Sequence, residues 1–548
     1  ESTVDSYPGW GGTTHRGSPK EGVFVEPGMS SDSGEKLLHR VADSMFWNAT
    51  LLPIITLLNL AASILIRRTF GLESGVYDIL IGITTTLLAY SSLGISQSLP
   101  KLLPDLDAAA GPRAAAALAR RAGLLRMALL VIPLLLLNAM TVRIAAAFQF
   151  GEHGTFLFQA VTVLALGRAV LDLANRTLQG ALAHRTANLF LVLQAGAVLT
   201  LIVVLLSTGG GIGAIVLGMG MIALVTAGFG SRTAIGVVGA DHGEPSPRAK
   251  RQSGEFSPGL PASRFWHFVL FLYLISISSY FAGPGFASPV LAVVSDGVQA
   301  VALFNTGYQI PHMIAVLLLA SFQGLYVPMF TRLLATPDNL RTAYREVSKV
   351  QAALLIPAAA GLLVMLGDYI PLIYGQAFGP AVPVARILTV ALFVEAFLSV
   401  GGILLTTAEL ARPVLLTQTL IVLGAGPFVL AARTGDLVLT AAIFPLGRLL
   451  AALAKHLVAR QRFGVRFPWT FVARASLPSL CMVAILIPAR PAGGAGWLEA
   501  LLLTALGAVI VLIGMRVFRV LGPRELDLLE RSQIPVGARL LRLLGQRR

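Results

Sequence analysis

The chain has 548 residues, of which 55% are hydrophobic and only 13% are charged, and its mean hydropathy is +0.77. Soluble domains carry about 25% charged residues, so the composition excludes an ordinary soluble protein and predicts many membrane crossings. The net charge is +15, but the basic residues are spread over short loops, which argues against nucleic-acid binding. A single cysteine, Cys481, excludes a disulfide framework, and neither a metal site nor a cofactor is expected.

Residues 1–44 are polar and rich in Gly, Ser and Pro, without the apolar core of a cleavable signal peptide. They are predicted to form a cytoplasmic N-terminal tail. The sequence starts at Glu1 and has a methionine at Met29, so residues 1–28 are interpreted as a tag remnant or a disordered tail.

Apolar windows of about 20 residues, the length of a membrane-spanning helix, recur along the rest of the chain. The fold class is therefore an all-α polytopic membrane protein with about 14 transmembrane helices. Pro284, Pro289 and Pro311 are expected to interrupt the seventh and eighth spans. The predicted spans are 45–66, 76–98, 122–148, 156–180, 187–207, 212–230, 264–285, 298–327, 350–373, 381–407, 413–432, 437–459, 470–488 and 497–518.

The distribution of Lys and Arg predicts the orientation of these spans. With the N-terminus inside, 32 of the 42 basic residues fall in cytoplasmic segments. The outer loops hold Arg67, Arg68, Arg143, Arg433 and Arg490. By the positive-inside rule, both termini are expected in the cytoplasm.

The longest loop between spans, rich in Pro, Gly and Ser, predicts a linker over 231–263. It separates two expected six-helix bundles, 45–230 and 264–459, and two more helices follow in 460–522. Residues 523–548 alternate leucines and arginines at helical spacing, which predicts an amphipathic tail on the cytoplasmic leaflet.

Charged residues inside the fourth span share one helix face. Arg168, Asp172, Asn175, Arg176 and Gln179 fall within an arc of about 100° at 100° per residue. Asp172 is expected to pair with Arg168 or Arg176, four residues away on either side. The stripe is either a structural ion network or a functional surface, and ionisable residues at membrane depth favour function.

A second polar stripe lies in the eighth span, where Asn305, Tyr308, Gln309 and His312 follow the same spacing. The seventh span adds Tyr273, Ser276 and Tyr280 in a similar pattern. Arg386, Glu395 and Arg448 are the remaining intramembrane charges. Polar faces in both bundles predict a wet central cavity.

Several stretches resemble one family. RRTFGLESGVYD (67–78), SSLGISQSLPKLLPD (91–105), NTGYQIPHMIAVLLLASFQGLYVPMFTRLL (305–334), IPLIYGQAFGPAVPVARIL (370–388) and LTTAELARP (405–413) are similar to polysaccharide and oligosaccharidyl-lipid flippases. These belong to the multidrug/oligosaccharidyl-lipid/polysaccharide flippase superfamily. The resemblance covers roughly residues 40 to 530. Phe70 and Asp78 depart from it, since Leu and Gly are usual there.

The resemblance implies two bundles around a cavity and a flippase, not an enzyme. Such proteins move polyprenyl-pyrophosphate-linked oligosaccharide from the inner to the outer leaflet of the bacterial cytoplasmic membrane by alternating access. Expected partners are membrane lipids, a coupling H⁺ or Na⁺, and a polysaccharide polymerase or glycosyltransferases. By chemistry the substrate-binding candidates are Arg168, Asp172, Arg176, Tyr273, Tyr280, Asn305, Gln309, His312 and Arg448, and the coupling candidates are Asp172 and Glu395.

Other functions stay open. An ion-coupled drug or cation antiporter of the same superfamily would favour a cavity rich in carboxylates, whereas these spans hold more Arg than Asp or Glu. A membrane glycosyltransferase would need acidic residues on a sizeable outer domain, and the outer loops are short. A non-transporting scaffold for polysaccharide synthesis would show apolar helix faces. No GxxxxGK[ST] motif for ATP binding occurs, and the glycines of STGGGIGAIVLGMG (207–220) fit close helix packing.

The predicted topology is testable by cysteine labelling. In a background without Cys481, the variants Ser253→Cys and Gln546→Cys should react only after the membrane is made permeable, because both positions are predicted to be cytoplasmic. Labelling of either site by an impermeant reagent in intact cells would contradict the number of predicted helices.

Overall fold

In a computed structural model of the protein, the apolar segments form α-helices, and the described residues contain no strand. The structure describes residues 31–239, 262–295, 297–491 and 494–520. Most of the predicted linker and the amphipathic tail at 523–548 lie outside these ranges. The chain divides into two units, Glu1–Asp43 and Ser44–Arg548. In the first, the described backbone, from Ser31 on, is helical; the second contains all the predicted spans.

Eighteen α-helices are described, and they are numbered here in chain order. They are α1 Ser31–Phe70, α2 Gly75–Ser91, α3 Ile95–Ala110, α4 Pro112–Ala139, α5 Thr141–Ala147, α6 Gly154–Gly180, α7 His184–Ser207, α8 Ile212–Gly239, α9 Ala262–Phe281, α10 Pro284–Val294, α11 Val298–Leu333, α12 Pro337–Tyr374, α13 Ala381–Thr407, α14 Ala411–Ala432, α15 Leu437–Ile443, α16 Leu446–Phe463, α17 Trp469–Ala489 and α18 Trp497–Val517. Three 3₁₀ turns join them, η1 Gly71–Ser74, η2 Gly151–His153 and η3 Gln376–Phe378.

The number of membrane-spanning helices agrees with the prediction of about 14. Among the described residues, 12 helices are long and apolar enough to cross a membrane, or 13 if one bent pair is counted as a span. One of them, Thr50–Ser91, has 42 residues. At 1.5 Å per residue its length is about 63 Å, roughly twice the hydrocarbon core of a bilayer. It therefore covers the first two predicted spans, and η1 marks the turn between them.

The seventh predicted span is broken by a proline. The axes of α9 and α10 are bent by 46° at the break between Phe281 and Pro284. Pro284 is the first residue of α10, a position where the missing N–H has no helical partner to lose. Pro289 and Pro311 lie inside α10 and α11 and end neither helix, so the interruption expected at these two positions does not occur.

Helices α4 and α12 begin at Pro112 and Pro337, well before the predicted starts at 122 and 350. Two predicted span ends also differ from the structure. The second span was expected to reach residue 98, but α2 ends at Ser91 because Leu93 and Gly94 both take positive φ values. Gly94 has φ +75, and a Cβ there would collide with the backbone of α9 at Val269 and Tyr273. At the other boundary, α8 continues to Gly239, nine residues past its predicted end and into the expected linker.

Close glycine contacts join neighbouring helices at two places in the second unit. In α6 and α8, the backbones meet at Gly167 and Gly220, where an added Cβ would come within 2.8 Å of Gly220 O and 2.7 Å of Leu164 N. Helices α14 and α16 meet in the same way at Gly424 and Gly447. The glycines of the 207–220 stretch that lie in α8 therefore serve helix packing, as the sequence predicted.

The α6–α8 contact gives a stability prediction. Gly220→Ala should destabilise the folded protein by about 1–3 kcal/mol, because the new Cβ meets backbone atoms that cannot move aside. The measurement is the thermal unfolding midpoint of the purified protein in detergent. Gly228→Ala in the same helix is the matched control, since no atom lies within 4 Å of its Cβ position. An equal loss in both variants would contradict the packing role.

Candidate functional site: a polar cavity

A cavity of about 1240 Å³ lies within the second unit. Its wall contains residues of the early helices α1 to α4 and α6 to α8 and of the later helices α9, α10 and α11. The volume exceeds the range of about 300–1000 Å³ that holds drug-sized ligands. The charged and most polar lining residues are Asn59, Arg67, Asp78, Gln97, Arg126, Arg168, Asp172, Asn175, Arg176, Gln179, Gln194, Asn305, Gln309 and His312.

The polar stripe of the fourth predicted span faces this cavity. All five of its members line the wall. They occupy the second half of α6, whose opposite face packs on α8 through small residues. The charged face of α6 is turned toward the cavity and away from lipid, as the helical spacing predicted. The five are Arg168, Asp172, Asn175, Arg176 and Gln179.

The ion pairs of the stripe differ in part from the prediction. Asp172 contacts Arg176 Nε at 3.5 Å, the expected pairing at four residues' distance. Its shorter contact, 2.8 Å, is with Nη1 of Arg126 on α4, which is only 2% exposed. The alternative pairing of Asp172 with Arg168 is absent. Sequence reasoning left Arg126 without a role, because the spacing within one helix does not reveal a partner on a neighbouring helix.

Arg168 stands apart from this network. It lines the cavity beside Tyr77, and among the described residues no carboxylate lies within 4 Å of its guanidinium. The three arginines of this wall therefore face a single carboxylate, Asp172. The wall carries a net positive charge that the protein itself does not neutralise, which favours an anionic ligand.

Arg67 lies in the cavity wall, although the sequence analysis placed it in an outer loop. Its side chain is 2% exposed and lines the cavity at the end of α1. It donates to Asp78 at 2.9 and 3.2 Å, to Ser63 Oγ at 2.7 Å and to Thr306 Oγ1 at 2.8 Å. Asp78, which departs from the family pattern, is thus the carboxylate that makes burial of this arginine tolerable. The ring of Tyr374 lies 5.7 Å from the guanidinium.

The polar stripe of α11 also lines the cavity, and its members are held by hydrogen bonds. Gln309 Oε1 accepts from Ser63 Oγ at 2.8 Å and from the hydroxyl of Tyr374 at 3.3 Å. Asn305 donates to Ser288 Oγ at 2.8 Å. Tyr308 and His312 stack and share a hydrogen bond of 3.2 Å.

The seventh-span residues separate into two groups. Tyr280 lines the cavity and shares a hydrogen bond of 2.7 Å with Thr86 of α2. Ser276 lines it as well. Tyr273 is not among the lining residues and lies beside Gly94, at the contact of α9 with the start of α3. The bend between α9 and α10 gives the two parts of this span different neighbours.

Glu395 and Arg448 lie behind the cavity wall, where they pair with each other. Arg448 Nε contacts Glu395 Oε2 at 2.7 Å. Nη1 donates to the carbonyl of Ala282 at 2.7 Å and to the hydroxyl of Tyr308 at 3.4 Å. Ala282 lies at the break between α9 and α10. Arg448 therefore joins the broken span to α13 and contacts the cavity only through Tyr308.

Early and later helices contact one another closely near Arg67. Arg68 Nε donates to the carbonyl of Ile373 at 2.9 Å, and its Nη2 donates to the carbonyl of Leu372. Turn η1 packs on α11 and η3, and a Cβ at Gly75 would overlap the carbonyl of Val298. These contacts hold early and later helices together where α1 stops.

Within the described ranges, no group of three or more His, Cys, Asp or Glu side chains is placed to hold a metal ion. The carboxylates of the cavity region, Asp78, Asp172 and Glu395, each contact an arginine.

Part of the chain matches a known protein family. Residues 155–383 match the model of a polysaccharide biosynthesis protein family. No curated protein sequence matches the chain significantly.

The fold is similar to that of two solved transporters. One is the lipid II flippase MurJ in an inward closed conformation, with a TM-score of 0.65 and 12% identity over 86% of this chain and 98% of that one. Another is a multidrug resistance MATE family transporter in an inward-facing conformation, with a TM-score of 0.56 and 18% identity over 75% of this chain and 94% of that one. The chain is a multi-pass membrane protein with a transporter or flippase fold. The family match over residues 155–383 and the shared fold confirm the resemblance predicted from the sequence.

Proposed function

We propose that the protein is a flippase that moves polyprenyl-pyrophosphate-linked oligosaccharide from the inner to the outer leaflet of a bacterial cytoplasmic membrane. The observation that carries this proposal is the cationic wall of the cavity, in which Arg168 has no carboxylate partner while Arg126 and Arg176 share Asp172. A neutral cargo would not require an uncompensated arginine at this depth.

The chemistry of a pyrophosphate fits this wall. Its oxygens accept the paired hydrogen bonds that a planar guanidinium donates. Moving such an anion through hydrocarbon without replacement of its water is strongly unfavourable. Arg168 supplies charge, and Gln194, Gln179 and Asn59 supply amide groups for sugar hydroxyls on the same cavity surface. The apolar polyprenyl chain stays in lipid outside the cavity.

The alternating-access cycle that we propose uses the contacts at the end of α1 as its outer gate. In the predicted orientation, Arg67 and Asp78 lie toward the outside, and both termini are cytoplasmic. Opening toward the outer leaflet would require the contacts of Arg68 with the end of α12 and those of η1 with η3 to separate. A polymerase or glycosyltransferases that act on the glycan are the expected partners.

The antiporter alternative is less well supported by the charges of the cavity region. A site for a cationic drug or for Na⁺ needs carboxylates that are free to bind it. Asp78, Asp172 and Glu395 are each engaged by an arginine at 2.7 to 2.9 Å. Coupling to H⁺ or Na⁺ through Asp172 or Glu395 stays a prediction, and it would require an arginine to release the carboxylate first.

The two roles within the wall are separable by substitution. Asp172→Asn should lower stability by about 1–3 kcal/mol, because it leaves Arg126 buried without its counter-charge; the cost is limited because Asp172 is 36% exposed. Arg126→Gln combined with Asp172→Asn should recover folded yield in part.

Arg168→Gln should leave yield unchanged and reduce transport by roughly tenfold or more, as the loss of a charge-assisted contact predicts.

The measurements are monodisperse yield, thermal midpoint and transport rate for each variant. Arg412→Gln is the matched control, because this arginine is exposed and lies outside the cavity. Normal transport by Arg168→Gln would return Arg168 to a structural role.

The function itself is tested by reconstitution. Purified protein in liposomes should make polyprenyl-pyrophosphate oligosaccharide accessible to a reagent on the opposite leaflet, at a rate that Arg168→Gln lowers and Arg412→Gln does not. The same liposomes should show no exchange of cationic dyes for H⁺ or Na⁺. Protein that ignores the lipid-linked sugar and exchanges cations would establish the antiporter alternative instead.

A further inference from the structure

A second pocket, of about 480 Å³, lies where the first turns of α12 meet the segment between α16 and α17. It is separate from the cavity and shares no lining residue with it. Three of its five lining residues are arginines, and none is acidic: Arg341, Thr342, Arg345, Gly464 and Arg466.

Arg341 is held in a fixed position in this pocket. Its Nε donates to the carbonyl of Phe463 at 3.0 Å, and Nη1 donates to Asp338 at 3.1 Å. Gly464 has φ +68, and a Cβ there would lie 2.9 Å from Nε of Arg341. Glycine therefore serves both the left-handed end of α16 and the room that the guanidinium needs.

The other two arginines are brought to the same pocket by local geometry. Arg345 follows Arg341 by four residues on α12 and shares its face. Around Arg466 the chain alternates, with Val465 and Phe467 buried and Arg466 exposed. Among the described residues, no carboxylate lies within 4 Å of Arg345 or Arg466. Within the described part of the chain, Asp338 is the one carboxylate that contacts a pocket arginine, so the pocket has a net positive charge.

The pocket lies at the level expected for lipid headgroups. Trp469 is 67% exposed and begins the apolar span α17 only three residues after Arg466. Exposed tryptophans at span ends mark the membrane–water interface. Helix α12 has 38 residues, about 57 Å, so its first turns extend beyond the hydrocarbon core. Exposed Leu477 and Leu480 continue along α17 from Trp469 and provide a surface for acyl chains.

We propose that this arginine pocket binds the phosphate of an anionic phospholipid headgroup. Clustered arginines at an interface attract such phosphates, and a guanidinium held in place binds them with less loss of side-chain freedom. The adjoining tryptophan and apolar helix face favour a lipid over a soluble anion. This site goes beyond the proposed transport function and does not depend on it.

The test uses the full chain in detergent, with phosphatidylglycerol or phosphatidylcholine added and bound lipid counted by native mass spectrometry. Arg345→Gln with Arg466→Gln should weaken phosphatidylglycerol binding by roughly tenfold to thirtyfold, as removal of two interfacial charges predicts. Binding of phosphatidylcholine should not change. Arg113→Gln with Arg412→Gln is the matched control: it removes two exposed arginines outside the pocket and should bind as the wild type does.

A second variant tests the geometry without removing charge. Gly464→Ala should weaken phosphatidylglycerol binding several-fold, because the new methyl group displaces Arg341. Equal losses in the control double variant, or unchanged binding in both pocket variants, would overturn the proposal. So would inorganic phosphate that binds the wild type as tightly as phosphatidylglycerol does, since it would identify a soluble anion as the ligand. Transport in phosphatidylcholine liposomes should be normal in all these variants, which keeps this test separate from that of the flippase.

Discussion

The cavity depends on the pairing of arginines with carboxylates away from bulk water. An unpaired charge taken out of water costs several kcal/mol, and a pair is tolerated only when its geometry is good and its remaining hydrogen bonds are satisfied. Arg67 with Asp78 meets this condition most completely, because Ser63 and Thr306 also accept hydrogen bonds from Nη1 and Nε of the guanidinium. The other cavity carboxylate, Asp172, is likewise paired, and no carboxylate among the described residues contacts Arg168 in the cavity wall.

Each of the three pairs also connects different helices. Arg67 and Asp78 join α1 to α2 and, through Thr306, to α11. The partners Arg126 and Asp172 join α4 to α6. The third pair, Glu395 with Arg448, joins α13 to α16. Arg448 also donates to the carbonyl of Ala282 at the break in the seventh span. Because each pair spans at least two helices, a relative motion of the helices must preserve or exchange these contacts, which restricts the conformational changes that the fold allows.

Glycine contacts impose a complementary constraint on the same helices. Where α6 meets α8, backbones approach so closely that a methyl group does not fit, and dispersion contacts replace the hydrophobic effect that lipid cannot supply. The close packing fixes the rotation of α6 about its axis. That rotation turns the face with Arg168 and Asp172 toward the cavity, so the position of the site follows from the packing on the opposite side of the helix.

Sequence by itself determined the class, the approximate number of spans and which face of α6 is polar. Each of these depends on local quantities: apolar length against bilayer thickness, and the 100° step of a helix. Asn305, Gln309 and His312 were predicted to share a polar face for the same reason, since the helical period relates them. The ends of α13 and α17 were also close to prediction, because apolar composition changes sharply there.

Only the tertiary structure decided which charges meet. Arg67 was assigned to a loop because two arginines at a span end usually face water, whereas here a carboxylate eleven residues on and a hydroxyl from α11 hold the first of them inside. Arg126 as partner of Asp172, and Glu395 as partner of Arg448, are contacts between helices whose relative rotation no single-helix period encodes. Partner choice among buried charges depends on distances of a few ångströms between helices, and those are fixed by packing in three dimensions.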